Sequence, residues 1–194
     1  VFCQQNLRRT YRQFTIEVDK VAQGLRNYDI GPGDRVGVWS PNRYEWVLTQ
    51  FACARIGAIL VCINPAYRLL DLEYALNKVA CKALVTARSF KGSDYGAMLQ
   101  ELCPELAALQ NPCLQAERVP SLCHVFCMGN DVPAGMIGFD RFLDIGQKKA
   151  TVHLDRLTAG LSCHDPINIQ FTSGTTGNPK GACLTHHNIL NNAR

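Results

Sequence analysis

Residues Phe171–Gly181 read FTSGTTGNPKG, a stretch that crowds three glycines, three threonines, one serine and one lysine into eleven residues. These residue types suit a polyanion. Glycine lets backbone N–H groups approach a ligand with no Cβ in the way. Serine and threonine add hydroxyl donors, and a lysine ammonium adds a compact charge that reaches phosphate oxygens. Successive backbone amides in such a turn form an anion-binding concavity. Gly174 and Gly177 flank Thr175 and Thr176, and Lys180 follows.

Two familiar phosphate patterns do not fit. The G-x-x-x-x-G-K-[ST] loop fails because the sixth position counted from Gly174 is Pro179 and Lys180 is followed by Gly181. The G-x-G-x-x-G fingerprint fails because no two of these glycines stand two apart ahead of a third. A plain Gly/Ser/Thr linker is the structural alternative. Against it, the stretch lies between the apolar strand Ile167–Phe171 and an amphipathic segment, and it closes on Pro-Lys-Gly.

The elements that must position this loop begin far upstream. Thr10 and Gln13 form a capping box, and Phe14, Val18, Val21, Ala22 and Leu25 recur at helical spacing, which predicts a helix over Tyr11–Asn27. The turn GPGD leads into the short β-type run Arg35–Ser40. Asn42 is the expected cap of the next helix, RYEWVLTQFACARIG. Ala58–Asn64 is nearly all apolar, as befits a strand covered on both faces. Leu69, Leu72, Leu76 and Val79 give a further helix, and Lys82–Ala87 a third strand. This strand–helix–strand–helix–strand order predicts an α/β fold with a helix-flanked, largely parallel sheet. Beyond it, Ser93–Leu102 reads as helix, the region with Pro104, Pro112 and Pro120 as a loop-rich connection, Cys123–Gly129 as a strand, and Asp140–Gly146 as a helix. No internal repeat is present.

The 194 residues are 47% hydrophobic and 19% charged, a globular composition that is neither disordered nor membrane-like. No apolar run reaches the roughly 20 residues a transmembrane helix requires, since Ala52–Ile63 is broken by Arg55 and Gly57. Net charge is +4, with its densest basic clusters at Leu7–Arg12 and Gln147–Ala150. Neither is the stripe or module of a nucleic-acid binder, so nucleic acid is not an expected partner. The ten cysteines match no secreted disulfide framework. Cys123, His124 and Cys127 are metal-ligand types without the second pair of a zinc site, so metal ligands are not assigned, and reduced thiols packed as small apolar side chains are expected. Val1 in place of Met, and the ending after HHNILNNAR, read as a chain cut at both ends, and no transit peptide is read within it.

Other residues invite chemistry less strongly. His186 and His187 are adjacent and point in different directions on a helix, so capping by Thr185 or Asn188 is the expected local role there. Cys183 is expected in the core. Trp39 and Trp46 are expected to pack between a strand end and the following helix, and no catalytic residue is assigned.

FTSGTTGNPKG resembles the signature loop of the adenylate-forming superfamily of acyl-CoA synthetases, luciferases and peptide-synthetase adenylation domains. The resemblance extends through TYRQF…VAQGLRNYDIGPGDRVGVWSPN and GAILVCINPAYRLLDLEYALNKVACKALVT, and so across the chain. It implies that residues 1–194 are an incomplete N-terminal adenylation domain, part of the large domain of such an enzyme, without the C-terminal lid. It implies ATP, Mg²⁺ and coenzyme A as cofactor and co-substrates, and a fatty acid, medium-chain by the nearest resemblance, as the acyl donor. A mitochondrial location is implied in the same way. The phosphate-binding residues carried over are Thr172, Ser173, Gly174, Thr175, Thr176, Gly177, Asn178, Pro179 and Lys180. Of these, Ser173, Thr175, Thr176 and Lys180 would donate to the β- and γ-phosphates. The adenine, ribose and lid-lysine motifs of the family have no counterpart in these residues. Two alternatives stand beside this reading: an adenylating enzyme for another carboxylic acid, and a non-catalytic truncated product.

Overall fold

The first helix, α1 (Tyr11–Asn27), is fixed at its start by local chemistry. Thr10 Oγ1 accepts the Gln13 N–H at 3.2 Å, and Gln13 Oε1 accepts the Thr10 N–H at 2.9 Å. The expected cap is thus present in both directions. In the computed structural model, which describes residues 1–108, 113–148, 153–172 and 179–193, Val18, Val21, Ala22 and Leu25 form the buried stripe of this helix.

The chain then turns through Gly31–Asp34, where Asp34 Oδ2 accepts the Gly31 N–H at 2.9 Å and pairs with Lys82. Strand β1 (Arg35–Trp39) follows, then α2 (Tyr44–Ile56), β2 (Ile59–Ile63), α3 (Leu69–Lys78) and β3 (Ala83–Thr86). A small antiparallel pair, β4 (Ser89–Phe90) with β5 (Ser93–Asp94), precedes α4 (Tyr95–Leu102). The remaining elements are β6 (His124–Cys127), β7 (Ile137–Gly138), α5 (Asp140–Lys148), α6 (Leu154–Ala159), β8 (Pro166–Thr172), β9 (Lys180–Thr185) and α7 (His186–Asn192).

Seven strands form one sheet in the order β7-β6-β3-β1-β2-β8-β9. Every neighbouring pair is parallel except β8 with β9. The side chains of its central strands alternate between two cores. Val36, Val38, Leu60, Ala83, Val85 and Phe126 pack with α1, α2, α5 and α6. Trp39, Val61, Ile63, Leu84 and Val125 pack with α3 and α4. The period-2 geometry of a strand makes this division automatic once both faces are covered. Among the described residues, no helix is long and apolar enough to cross a membrane.

One expected detail is wrong. Asn42 does not cap α2. The residue before the helix is Arg43, whose side chain makes no capping bond. The N–H of Tyr44, left open by the helix start, is instead taken by Gln5 Oε1 at 2.7 Å, while Gln5 Nε2 donates to Glu45 Oε2 at 2.9 Å. The chain's first turn thus satisfies a helix start that local sequence leaves open.

Gly24 allows α1 to lie close against α5. A Cβ at that position would stand 2.7 Å from the Cα of Phe142. In a free helix Gly→Ala gains about 1 kcal/mol. Here the backbone of α5 must retreat, so Gly24→Ala should destabilise the fold by about 1–3 kcal/mol. Urea unfolding at neutral pH measures this, and a variant as stable as the parent would refute the close packing.

Candidate functional site

The candidate site is the hairpin between β8 and β9. Strand β8 lies beside β2 and runs parallel to it, and β9 returns antiparallel on its outer side. The pairing runs Ile169↔Cys183, Gln170↔Ala182, Phe171↔Gly181 and Thr172↔Lys180. Thr172 Oγ1 donates to the Lys180 carbonyl at 3.4 Å. The two ends of the glycine- and hydroxyl-rich stretch are therefore held side by side at the carboxyl end of β8. Of the nine residues singled out for phosphate binding, Thr172, Pro179 and Lys180 are placed here. Ser173, Gly174, Thr175, Thr176, Gly177 and Asn178 lie outside the described residues.

The stem is packed from one side. Gly181 sits where a Cβ would stand 3.1 Å from Ile169 Cγ2 and 3.8 Å from Val79 Cγ1. Ile169 and Phe171 rest against the core that α3 covers. From α3, Tyr74 Oη donates to the Pro179 carbonyl at 3.2 Å. Sequence reasoning used α3 only as a helix and missed this residue, because its partner lies 105 positions away. Lys180 is exposed, and among the described residues its ammonium has no carboxylate partner.

Beside the stem an open cleft of about 310 Å³ lies beyond the carboxyl ends of β1 and β2. Asn42, Trp46, Asn64, Gln170 and Phe171 are among its walls. Strand β1 continues into a helix on one face of the sheet and β2 into a helix on the other, and such a crevice is where open α/β sheets take their ligands. Its floor is rigid. Trp39 stacks on Tyr95 with ring centroids 3.5 Å apart and planes 10° from parallel, and Trp39 Nε1 donates to the Asn64 carbonyl at 3.2 Å. Tyr95 Oη donates to the next carbonyl, that of Pro65. Trp39 is thus the packing residue expected, while Trp46 also faces the cleft. A second cavity, of about 370 Å³, lies between the N-terminal residues, α1 and α2, is walled by Phe2, Phe14, Tyr44 and Phe51, and shares no lining residue with the cleft.

The histidine pair follows the hairpin. Thr185 Oγ1 accepts the Asn188 N–H at 3.2 Å and Asn188 Oδ1 accepts the Thr185 N–H at 2.9 Å, so both residues expected to cap α7 do so. The His187 ring lies 5.5 Å from that of His164, while the partly buried His186 has an Nε2 with no hydrogen-bond partner among the described residues. Cys183 corrects an expectation: it is exposed, because β9 is the outermost strand of the sheet. Cys53, Cys81, Cys103 and Cys127 are buried as expected, and burial pushes Cys81 and Cys103 up to about 12.

The family described as AMP-binding enzyme matches residues 1–194, and the chain belongs to it. The chain is similar to the mitochondrial medium-chain acyl-CoA ligase ACSF2 of Bos taurus, 48% identical over 190 residues, which is 97% of this chain and 31% of that protein. It is also similar to the putative acyl-CoA synthetase YngI of Bacillus subtilis, 38% identical over the whole chain and 35% of that protein. The chain therefore spans about a third of the length of these curated relatives. Among solved structures it is similar to Mycobacterium smegmatis MbtA in its apo form, with a TM-score of 0.73 and 25% identity over 97% of this chain and 31% of that one. It is likewise similar to the anthranilate CoA ligase AuaEII in complex with anthranoyl-AMP, with a TM-score of 0.69 and 25% identity over 91% of this chain and 30% of that one. The expected helix-flanked, largely parallel sheet is thus the fold of adenylate-forming enzymes.

His124, considered above as a ligand type, is instead a packing residue. It is 8% exposed, with the Tyr28 ring centroid 5.2 Å away. Burial holds its imidazole below the ordinary value and the Lys82 charge acts in the same sense, while a bond to the Tyr28 backbone opposes them. A depressed histidine contributes stability that is complete above its unfolded value of about 6.5 and is lost as pH falls below it. Stability should therefore decline from about pH 7 to about pH 5, and His124→Gln should flatten that decline. Urea midpoints across the range measure it, and identical slopes for parent and variant would refute it.

Proposed function

We propose that this chain is the N-terminal portion, residues 1–194, of the large domain of an ATP-dependent fatty acid–CoA ligase, with a separate C-terminal lid domain elsewhere in the full-length protein. In this reading the enzyme works in two steps. A carboxylate oxygen attacks the α-phosphorus of ATP, and the bond to the bridging oxygen breaks to release pyrophosphate and leave an acyl-adenylate. The sulfur of coenzyme A then attacks the acyl carbonyl, AMP leaves, and the thiol proton is lost. The full-length protein is proposed to act on medium-chain fatty acids and to reside in mitochondria. That part of the reading rests on the curated relatives.

The observation that supports the reading most is the sequence of residues 171–181 combined with the place of its two ends. Thr172 and Lys180 face each other at the carboxyl edge of the sheet, beside the cleft. Lys180 and the hydroxyls of Ser173, Thr175 and Thr176 are proposed to hold the β- and γ-phosphates, with the backbone amides of Gly174, Gly177 and Asn178 completing the cradle. These groups would position the triphosphate and stabilise the charge that grows on the departing pyrophosphate. Mg²⁺ is proposed to enter with the nucleotide as its counter-ion. The donor set of residues 172–180, hydroxyls and one ammonium, suits phosphate oxygens rather than the ion itself.

Lys180→Ala combined with Thr176→Ala in the full-length enzyme should lower kcat/KM for ATP by about 10²–10³. The circular dichroism spectrum and melting temperature should stay close to the parent's, because Lys180 is exposed on β9. Unaltered ATP kinetics would remove the assignment. Substrate class is read from ATP–pyrophosphate exchange with a panel of straight-chain and aromatic acids, where medium-chain straight-chain acids should be the most active. Residues 1–194 by themselves should form no acyl-CoA, since the adenylation lysine carried by the lid in this family has no counterpart here. Measurable product from the isolated chain would contradict the two-domain reading.

A further inference from the structure

We infer that Tyr74 is a positioning residue for the phosphate chain of ATP, acting through Lys180. The inference rests on the phosphate-binding reading of residues 172–180.

Tyr74 lies on α3, which is anchored to the sheet by its buried neighbours Leu72, Ala75 and Leu76. Its hydroxyl donates to the Pro179 carbonyl at 3.2 Å. Among the described residues, this is the one side-chain hydrogen bond that reaches residues 179–185 from outside β8, β9 and α7. The choice of acceptor matters. Proline has a fixed φ, so the conformational freedom remaining at position 179 is its ψ rotation. Holding the carbonyl oxygen fixes that rotation and orients the whole 179–180 peptide plane. That plane sets where the Cα of Lys180 lies and the direction in which its side chain leaves the backbone. On the opposite side, Thr172 Oγ1 donates to the Lys180 carbonyl. The two peptide units flanking the Lys180 Cα are therefore each held by a hydroxyl, one from a helix and one from the neighbouring strand.

A lysine is a long and flexible donor with considerable rotamer entropy. Its contribution to a phosphate contact depends on a backbone that does not wander, because small misplacements at a reacting centre are costly in rate. Tyr74 touches no reacting atom in this account. It supplies the fixed base from which the ammonium reaches.

Tyr74→Phe in the full-length enzyme removes the hydroxyl and keeps the ring. In ATP–pyrophosphate exchange, the KM for ATP should rise about three- to tenfold, the range corresponding to one neutral hydrogen bond. The KM for the acid and the melting temperature should stay at parental values. A purely structural role would lower the active fraction, and so kcat, without selecting the ATP term. The deciding measurement is the double variant with Lys180→Ala. If Tyr74 works through Lys180, the Phe change should add no further loss in that background. Where exchange in that background is too slow to read, the Kd for ATP from equilibrium dialysis serves the same cycle. An unchanged KM for ATP in Tyr74→Phe overturns the inference, as do fully additive losses in the double variant. In both cases an impaired Lys180→Ala leaves the phosphate-binding reading intact. Wild-type ATP kinetics in Lys180→Ala overturns that reading and this inference with it.

Discussion

The structure depends on the burial of a parallel sheet on both faces. Strands β1, β2 and β3 carry apolar side chains in both directions, so neither face tolerates water. Helices must cover each side, and a parallel strand order requires each crossover to return to the opposite edge of the sheet. The turns that leave the carboxyl ends of the strands therefore gather along one edge. The cleft walled by Asn42, Asn64 and Gln170 arises from this arrangement, because its three amides come from the ends of three different strands. The site is a by-product of how the core is closed.

Strand β9 departs from that rule, and the departure builds the site. A parallel partner for β8 would require a long crossover, whereas an antiparallel partner needs only a short connection. The short connection here is the glycine- and hydroxyl-rich stretch. Both of its ends are consequently tied to the same pair of strands, and the pairing of Thr172 with Lys180 determines where they meet. The stem draws its remaining support from α3 and the residue that ends it, through Tyr74 on Pro179 and Val79 beside Gly181.

How much of this was legible in the sequence depends on the range of each interaction. The Thr10–Gln13 box spans four residues and was visible in the pattern, as was the burial stripe of α1. The strands β1 to β3 were visible because continuous apolar runs need no partner to be recognised. The start of α2 was not, since its cap comes from Gln5, and no local rule connects the two. Strand β9 was missed for a different reason. Its residues are mostly exposed, so Lys180–Thr185 lacks the apolar run that identified the inner strands. At the candidate site, residue types alone pointed to the chemistry proposed for residues 172–180, because glycines, hydroxyls and a lysine have few other joint uses. Tyr74 was invisible, since a tyrosine on a helix gives no sign of a carbonyl 105 residues ahead.

The outermost position of β9 has a bearing on Lys180 beyond any ligand. A strand with a neighbour on one side only leaves a row of backbone donors and acceptors able to recruit a stranger, and a charged side chain is one of the ways proteins discourage such capture. Lys180 opens that strand and is exposed, whereas Gly181, Ala182 and Cys183, which follow it, carry no charge. In residues 1–194 taken alone, the ammonium that would grip a nucleotide would therefore also discourage strand addition at this edge, and the isolated chain deprived of it would lose solubility.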